Sequence, residues 1–311
     1  MKILITGSKG LIGAALKCCL EKIGINVLGI DLKHDSEHPD YGDLLDAAAV
    51  FSKASVVNGI VHLAAISRVI DGEKMPQRCW ETNVEGTQNV INAAVASDKK
   101  PWIIYASSRE VYGEPKELPV KEWFPLKPIN IYGESKVEAE KRVEQAEQKG
   151  IAAAIVRLSN VYGSIHDYPD RVIPAFCRAA AEGAAIRVDG KENSFDFTYL
   201  DDVINGLVSL IRIMAGNKQT VKPIHLTQGV SSTLEHISAI AQQASAVPIS
   251  LTEKPSRSFD VSRFFGDPSR AREVLKWQAC VSIEEGMHRL IHQFRLHAIS
   301  NFQNADTHVV R

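Results

Sequence analysis

The sequence predicts an α/β fold, a doubly wound parallel sheet with helices on both faces, and three observations indicate this class. The chain opens on a short apolar run that stops at three spaced glycines. Apolar runs of strand length then alternate with helical patterns, and small or polar residues follow the ends of these runs, where a parallel sheet gathers its ligands. The 311 residues, 45% of them hydrophobic, suit one large domain or two closely packed ones.

The glycine-rich turn follows the first apolar run, residues 2–6. Gly7 permits a sharp turn from strand to helix, Gly10 lets the backbone approach a pyrophosphate, and Gly13 lets the helix pack close on the strand. Free N–H groups at the start of the helix attract the anion. The predicted cofactor contacts at this turn are Gly7, Gly10, Leu11, Ile12 and Gly13.

A carboxylate ends the second apolar run, which covers residues 25–30. Asp31 lies about twenty residues beyond the glycines, where it can accept both hydroxyls of an adenosine ribose. It would repel a 2′-phosphate, and Lys33 is the only nearby cation, so the pattern favours NAD over NADP. Asp43, at the start of the next helix, is either an N-cap or an acceptor for the adenine amino group.

The third and fourth strands are expected at residues 57–65 and 101–108, with a long helix over 76–97 between them. Alanines at the end of the third strand would let a dinucleotide lie flat, and His62 is expected to be a packed, hydrogen-bonded histidine. Ser107, Ser108 and Glu110 fall at the carboxyl end of the fourth strand, where ligands gather.

Tyr132 and Lys136 carry the predicted chemistry. Four residues apart in a helical pattern, they lie on one helix face. An ammonium near the phenol stabilises the phenolate, so we expect Lys136 to lower the Tyr132 pKa and make this tyrosine a general base. The spacing of this pair from the glycines and the serine pair makes the set specific.

The chain at this point resembles the extended short-chain dehydrogenase/reductase family, in particular the NAD-dependent nucleotide-sugar epimerases and dehydratases. The resemblance spans nearly the full length and implies a Rossmann fold with a smaller, mostly helical C-terminal substrate lobe. It rests on these segments: residues 6–13, Asp31, 62–65, 82–87, 107–113, 132–136, 157–163, 196–203 and 257–271.

The resemblance implies a role for each matching residue. Tyr132 is the base, Lys136 also grips the nicotinamide ribose, and Ser108 hydrogen-bonds the reacting hydroxyl. Glu110 completes the candidate catalytic set. The other implied cofactor contacts are Asp31, Asp43, Leu44, Leu63, Ala64, Ala65 and Asn83, and the implied substrate contacts are Ser67, Ser108, Asn160 and Arg257.

Two departures from the family pattern concern anion recognition. Phe195 stands where nucleotide-sugar enzymes often carry an arginine. The R-P-G-D motif of these enzymes appears at residues 257–260 as R-S-F-D, which keeps only the arginine and the aspartate. A phenyl ring removes a bidentate, charge-assisted contact to a diphosphate. Either Arg171, Lys191 or Arg263 replaces it, or the substrate is not a typical nucleotide diphosphate sugar.

The favoured reaction is 4-epimerisation of a nucleotide sugar through a transient 4-keto intermediate. Glu110 also suits a 4,6-dehydratase or a decarboxylase. The dehydratase acid would fall at Arg109, which is a poor proton donor, and residues 65–69 lack the proline-rich pattern of the decarboxylases. A catalytically silent NAD-sensing protein is the alternative from another class, but it would have no chemical reason to keep Ser108, Tyr132 and Lys136.

Composition excludes several partners. The 36 lysines and arginines balance 37 acidic residues without a basic block, so no nucleic acid is expected. Five cysteines without a C-x-x-C pair indicate a reduced, cytoplasmic protein. With no long apolar run and with the glycine turn starting at residue 7, neither a membrane span nor a signal peptide is expected.

The remaining expectations concern organisation. We expect no metal, because Asp201 and Asp202 are better explained as a helix cap. Residues 1–165, with later segments near 196–230, form the predicted NAD-binding domain, 166–298 the substrate lobe, and 299–311 a disordered tail. The family resemblance implies a homodimer formed by the helices at 76–97 and 135–148.

Overall fold

The computed structural model describes residues 1–257 and 261–307. The strands are β1 (Lys2–Thr6), β2 (Asn26–Ile30), β3 (Gly59–His62), β4 (Trp102–Ser108), β5 (Ala153–Leu158), β6 (Asn160–Tyr162), β7 (Ile186–Asp189), β8 (Ser194–Tyr199), β9 (Val221–Leu226), β10 (Ser231–Thr233), β11 (Leu251–Lys254) and β12 (Arg263–Phe264). The helices are α1 (Leu11–Lys22), α2 (Ala47–Ala54), α3 (Val69–Lys74), α4 (Pro76–Trp80), α5 (Gly86–Ala96), α6 (Ile131–Ala146), α7 (Val172–Glu182), α8 (Leu200–Asn217), α9 (Leu234–Ala244), α10 (Ser269–Leu275) and α11 (Ile283–Thr307).

Six parallel strands form the larger sheet, in the order β2-β1-β3-β4-β5-β9. The strand order reverses at β1, which lies between β2 and β3, and a ligand cleft is expected outside the carboxyl ends there. The apolar residues of β1, Ile3, Leu4 and Ile5, are wholly buried because helices cover both faces. The predicted fold class is confirmed.

Two layers of helices cover this sheet. On one face α1 packs beside α8, and their apolar residues share a core with β1, β4 and β5. On the other face α2, α5 and α6 pack side by side over a second core. The helix that bears Tyr132 is therefore fixed against the sheet along its length.

A smaller region combines helices with short strands. Its sheet runs β10-β8-β12, β6 pairs with the last three residues of β8, and β7 pairs with β11. Helices α7, α9 and α11 pack around an apolar core that includes Phe195. Strand β9 returns to the large sheet, while the domain boundaries drawn from the sequence remain a prediction.

One helix interior and two helix starts differ from the sequence expectation. Residues 76–97 form α4 and α5 with a π-helical turn, Glu81–Glu85, between them. Asp46, not Asp43, caps α2, since its carboxylate accepts the N–H groups of Ala48 and Ala49. Tyr199 is the N-cap of α8, and neither Asp201 nor Asp202 caps it.

Asp202 has a different structural role, because its carboxylate accepts the backbone N–H groups of Cys280 and Val281. The last helix, α11, continues to Thr307, past the end expected at Ala298. Residues 308–311 of the expected tail lie outside the described residues. No helix in the described ranges is both long and apolar enough to span a membrane.

Candidate active site

The glycine turn has the geometry that the sequence predicts. Gly7 has a φ of +72°, and a Cβ on it would lie 2.8 Å from the Ala64 nitrogen. A Cβ on Gly13 would lie 2.0 Å from the Gly7 carbonyl oxygen, so only glycine lets α1 sit this close to the turn. The first N–H groups of α1, including those of Leu11 and Ile12, have no intrahelical acceptor. A phosphate-bearing cofactor fits this turn.

Asp31 is tied to the same turn. Its carboxylate accepts the backbone N–H groups of Lys9 and Lys33, each at 2.9 Å. The carboxylate thus stands beside the glycines at the end of β2. This is the position expected for a ribose contact, and the contact itself remains a prediction.

The predicted cofactor contacts Asp43 and Leu44 already contact protein groups. The Asp43 carboxylate accepts the Leu45 N–H at 3.0 Å and pairs with Arg78 at 3.2 Å. Leu44 is buried, and its carbonyl accepts a hydrogen bond from the Asn89 side chain at 2.9 Å. Their cofactor roles remain predictions.

The segment after β3 is held in place by buried polar groups. Leu63 and Ala64 donate their N–H groups to the Thr6 carbonyl and hydroxyl oxygens, and Ala65 follows them. The Asn83 carboxamide accepts the Ile66 N–H at 2.8 Å and donates to the Ile66 carbonyl. Asn83 was predicted to bind the cofactor. In the structure its side chain anchors this loop, and a cofactor contact remains a prediction.

His62 lies between two threonines, its ring nitrogens 2.6 Å from Thr6 Oγ1 and 2.9 Å from Thr87 Oγ1. Burial, with a smaller contribution from the Lys136 charge, lowers its pKa to about 3. The ring is therefore neutral at physiological pH, and the predicted packed, hydrogen-bonded histidine matches this geometry.

Tyr132, Ser108 and Lys136 meet at the carboxyl end of β4. The Ser108 side chain lies close enough to Tyr132 that its hydroxyl acts to lower the pKa of the tyrosine. Lys136 Nζ donates to the Ala106 carbonyl at 2.8 Å and lies 5.9 Å from the Tyr132 ring centroid. The structure brings these three predicted groups together.

The pKa of Tyr132 differs from the expectation. Burial raises it to about 12, and the hydrogen bond from Ser108 and the charge of Arg171 offset only part of this effect. Burial also lowers the pKa of Lys136 to about 8. The expectation that Lys136 lowers the Tyr132 pKa is wrong here, because desolvation raises this pKa and is the largest contribution to it.

Glu110 belongs to a buried polar network behind Tyr132. One carboxylate oxygen pairs with Arg109 at 2.9 Å, and the other accepts the Asn130 amide at 2.9 Å. The Asn130 side-chain oxygen in turn caps α6 by accepting the Gly133 N–H at 2.8 Å. The sequence did not predict this network, although an asparagine directly before a helical pattern is an N-cap signal.

The other predicted substrate contacts come from both parts of the molecule, Ser67 from the loop after β3 and Asn160 and Arg257 from the smaller region. Ser67 is exposed and accepts a hydrogen bond from Arg171 at 3.5 Å. Asn160 opens β6, and its amide nitrogen is buried without a partner among the described residues. Arg257 is exposed on the smaller region, and residues 258–260 of its motif lie outside the described residues.

Phe195 is buried in the smaller region, and two of the three cations proposed to replace an arginine there are paired with acidic side chains, while the charge of the third, Arg171, acts on Tyr132. Lys191 pairs with Glu253 and Arg263 with Glu114, at exposed positions. Instead, the Arg109 guanidinium carbon lies 4.5 Å from the centre of the Phe195 ring. This contact joins residues far apart in sequence, and no local signal predicts it.

One group of potential metal ligands is found among the described residues: His34, His38 and Asp40 offer ligand atoms within 4.8 Å of one another. The Asp40 carboxylate already pairs with Lys17 and accepts the Gly29 N–H at 2.9 Å. This arrangement explains the cluster without a metal.

Comparison with known proteins gives a consistent result. The NAD dependent epimerase/dehydratase family model matches residues 3–221. The chain is 30% identical to a UDP-glucose 4-epimerase of Lactobacillus helveticus, over 89% of this chain and 92% of that protein. It is 28% identical to UDP-glucuronic acid decarboxylase 1 of Danio rerio, over 94% of this chain and 72% of that protein.

Solved structures show the same fold. The UDP-glucose 4-epimerase of Thermotoga maritima, in a structure with UDP-glucose, superposes with a TM-score of 0.85 at 25% identity. The match covers 96% of this chain and 100% of that one.

Proposed function

Because the chain belongs to the NAD-dependent epimerase/dehydratase family, we propose that it is an epimerase that inverts C4 of a nucleotide sugar through a transient 4-keto intermediate. The predicted cofactor, NAD, is confirmed as that of the family. The observation that carries the proposal is that Ser108, Tyr132 and Lys136 lie together at the carboxyl edge of the sheet.

Each side chain of this set has a defined task. When bound, NAD supplies an acceptor for the C4 hydride. Tyr132 takes the proton of the C4 hydroxyl and later returns it, and Ser108 orients that hydroxyl by hydrogen bonding. Lys136, held at the Ala106 carbonyl, places a positive charge below the phenol.

The raised pKa of Tyr132 fits this scheme. A phenol with a pKa of about 12 stays protonated until further positive charge reaches the site. The positive nicotinamide ring of oxidised NAD is such a charge. We therefore expect bound NAD to lower the Tyr132 pKa and favour the phenolate.

The Arg109–Glu110 pair favours epimerisation over dehydration. Dehydration needs a proton donor for the leaving hydroxyl, and arginine, at the position of the dehydratase acid, cannot supply one. Both oxygens of Glu110 are engaged, by Arg109 and by Asn130. Glu110 thus positions its neighbours, and a catalytic role for it would require breaking these contacts.

Product analysis tests the proposal. The purified protein, supplemented with NAD, is incubated with a panel of nucleotide hexoses and hexuronic acids, and the sugars are identified by NMR and mass spectrometry. The C4 epimer is expected. A 4-keto-6-deoxy sugar would indicate a dehydratase and released CO₂ a decarboxylase, an activity named among the relatives. No turnover with any sugar would favour the NAD-sensing alternative.

We also propose a homodimer. Met75 and Trp80, at the start of the predicted interface helix, are exposed apolar side chains, and a second copy packed against this helix would remove them from water. Sedimentation at micromolar concentration should give twice the 34.2 kDa chain mass. A species of one chain mass would contradict the dimer.

A further inference from the structure

Arg109 holds its guanidinium group between the large sheet and the smaller region. The side chain is only 12% exposed, and its Nη2 atom pairs with Glu110. The guanidinium carbon lies 4.5 Å from the Phe195 ring centroid and 6.0 Å from that of Phe264. One edge of the cation is thus fixed by a carboxylate and one face by aromatic rings.

The other edge of this cation lacks a partner. Among residues 1–257 and 261–307, Arg109 Nη1 is buried and makes no hydrogen bond. A buried donor without an acceptor costs about 1–3 kcal/mol, and more when the donor is charged. A ligand that supplies an acceptor would remove this cost.

A second unpartnered donor adjoins the same surface. The Asn160 amide nitrogen is buried without a hydrogen bond to any described residue. Asn160 is the register partner of Phe197 in the parallel pair of β6 and β8. Phe197 and Phe195 lie on one face of β8, two residues apart, with ring centroids 6.3 Å apart. An arginine beside Phe195 and an amide beside Phe197 therefore offer donors along one face of β8.

We propose that Arg109 binds an anionic oxygen of the nucleotide sugar, a phosphate or a sugar carboxylate, with Asn160 as the second donor. The inference rests on the proposed function for its substrate class. It also accounts for Phe195: the ring that replaces an arginine on β8 supports an arginine that reaches the same place from the end of β4. Arg109 then determines specificity for an anionic substrate.

Titration calorimetry on the NAD-loaded protein tests this, with UDP, dTDP, UDP-glucose and UDP-glucuronic acid as probes. Arg109→Gln should raise the Kd about tenfold to a hundredfold, the effect of losing a charged hydrogen bond worth about 1.5–3 kcal/mol. Equal losses for UDP and both UDP-sugars identify a phosphate oxygen. A loss confined to UDP-glucuronic acid identifies the carboxylate.

Two further variants separate binding from folding. Arg109→Lys keeps the charge but not the planar fork, so it should fold and still raise the Kd about tenfold. Arg187→Gln, which removes an exposed arginine paired with Asp189, is the control and should leave every Kd unchanged. NAD content and Tm are recorded for each variant.

The outcomes are distinguishable. Unchanged Kd values for both Arg109 variants, or losses that follow a drop in NAD content, would overturn the role of Arg109 and leave the proposed function intact. A wild-type protein that binds none of the four probes and converts no sugar of the nucleotide-hexose panel would overturn the nucleotide-sugar proposal and this inference with it.

Discussion

Replacing Gly13 with alanine should damage the cofactor site through packing alone. The added Cβ would lie 2.0 Å from the Gly7 carbonyl oxygen and 3.0 Å from Ser8 Cα, whereas ordinary contacts begin near 3.4 Å. All these neighbours are backbone atoms, so α1 must move away from β1. Overpacking of this kind costs about 1–3 kcal/mol, and the shift also moves the N–H groups that hold the phosphates.

The matched control is Gly216→Ala, because a Cβ at this exposed position in α8 meets nothing within 4 Å. Alanine there should be neutral or stabilising by up to about 1 kcal/mol, through helix propensity. Differential scanning fluorimetry and NAD titration should show a lower Tm and an NAD Kd raised about tenfold or more for Gly13→Ala only. Equal Tm and NAD affinity in the two variants would refute the close-packing argument.

Three other perturbations have defined outcomes. Because burial lowers the His62 pKa to about 3, the folded state loses stability as the pH falls from about 6.5 to 3, by about 1.4 kcal/mol per pH unit. His62→Gln should make the unfolding free energy, measured by urea denaturation, depend less steeply on pH between 7 and 5, and an unchanged slope would contradict this. Arg157 and Glu140 form a buried ion pair with 2.6 Å between Nη2 and Oε2. Glu140→Gln removes the negative charge from this pair and should cost about 3–5 kcal/mol of unfolding free energy; a loss below about 1 kcal/mol would show that the pair is dispensable. Arg257→Ala should raise the KM for a nucleotide sugar about tenfold to a hundredfold, and an unchanged KM would rule out a diphosphate contact.

Local patterns were sufficient to predict much of the fold. Burial on both faces forces continuous apolar strands, so β1 to β5 could be recognised from composition and length. Gly7 and Gly13 could be interpreted because their task is local, a turn and a close contact within a few residues. The four-residue spacing likewise places Tyr132 and Lys136 on one face of a helix.

Features that depend on distant contacts could not be predicted. Strand β12 has two residues and β6 and β10 have three each, too few to show a period of two. Arg109 contacts Phe195 only because the smaller region packs against the end of β4. The pKa of Tyr132 also followed burial, which depends on the whole fold rather than on one nearby lysine.

The central claim, that Tyr132 is the base of a reversible oxidation at a sugar carbon, is tested most directly by Tyr132→Phe. Wild-type protein with bound NAD, mixed with the nucleotide sugar identified from the panel, should show a transient rise in absorbance at the reduced-nicotinamide band. The variant loses only a hydroxyl, so it should fold and keep its NAD, and this signal should fall by about a hundredfold or more. A variant that reduces its NAD as fast as the wild type would contradict the account.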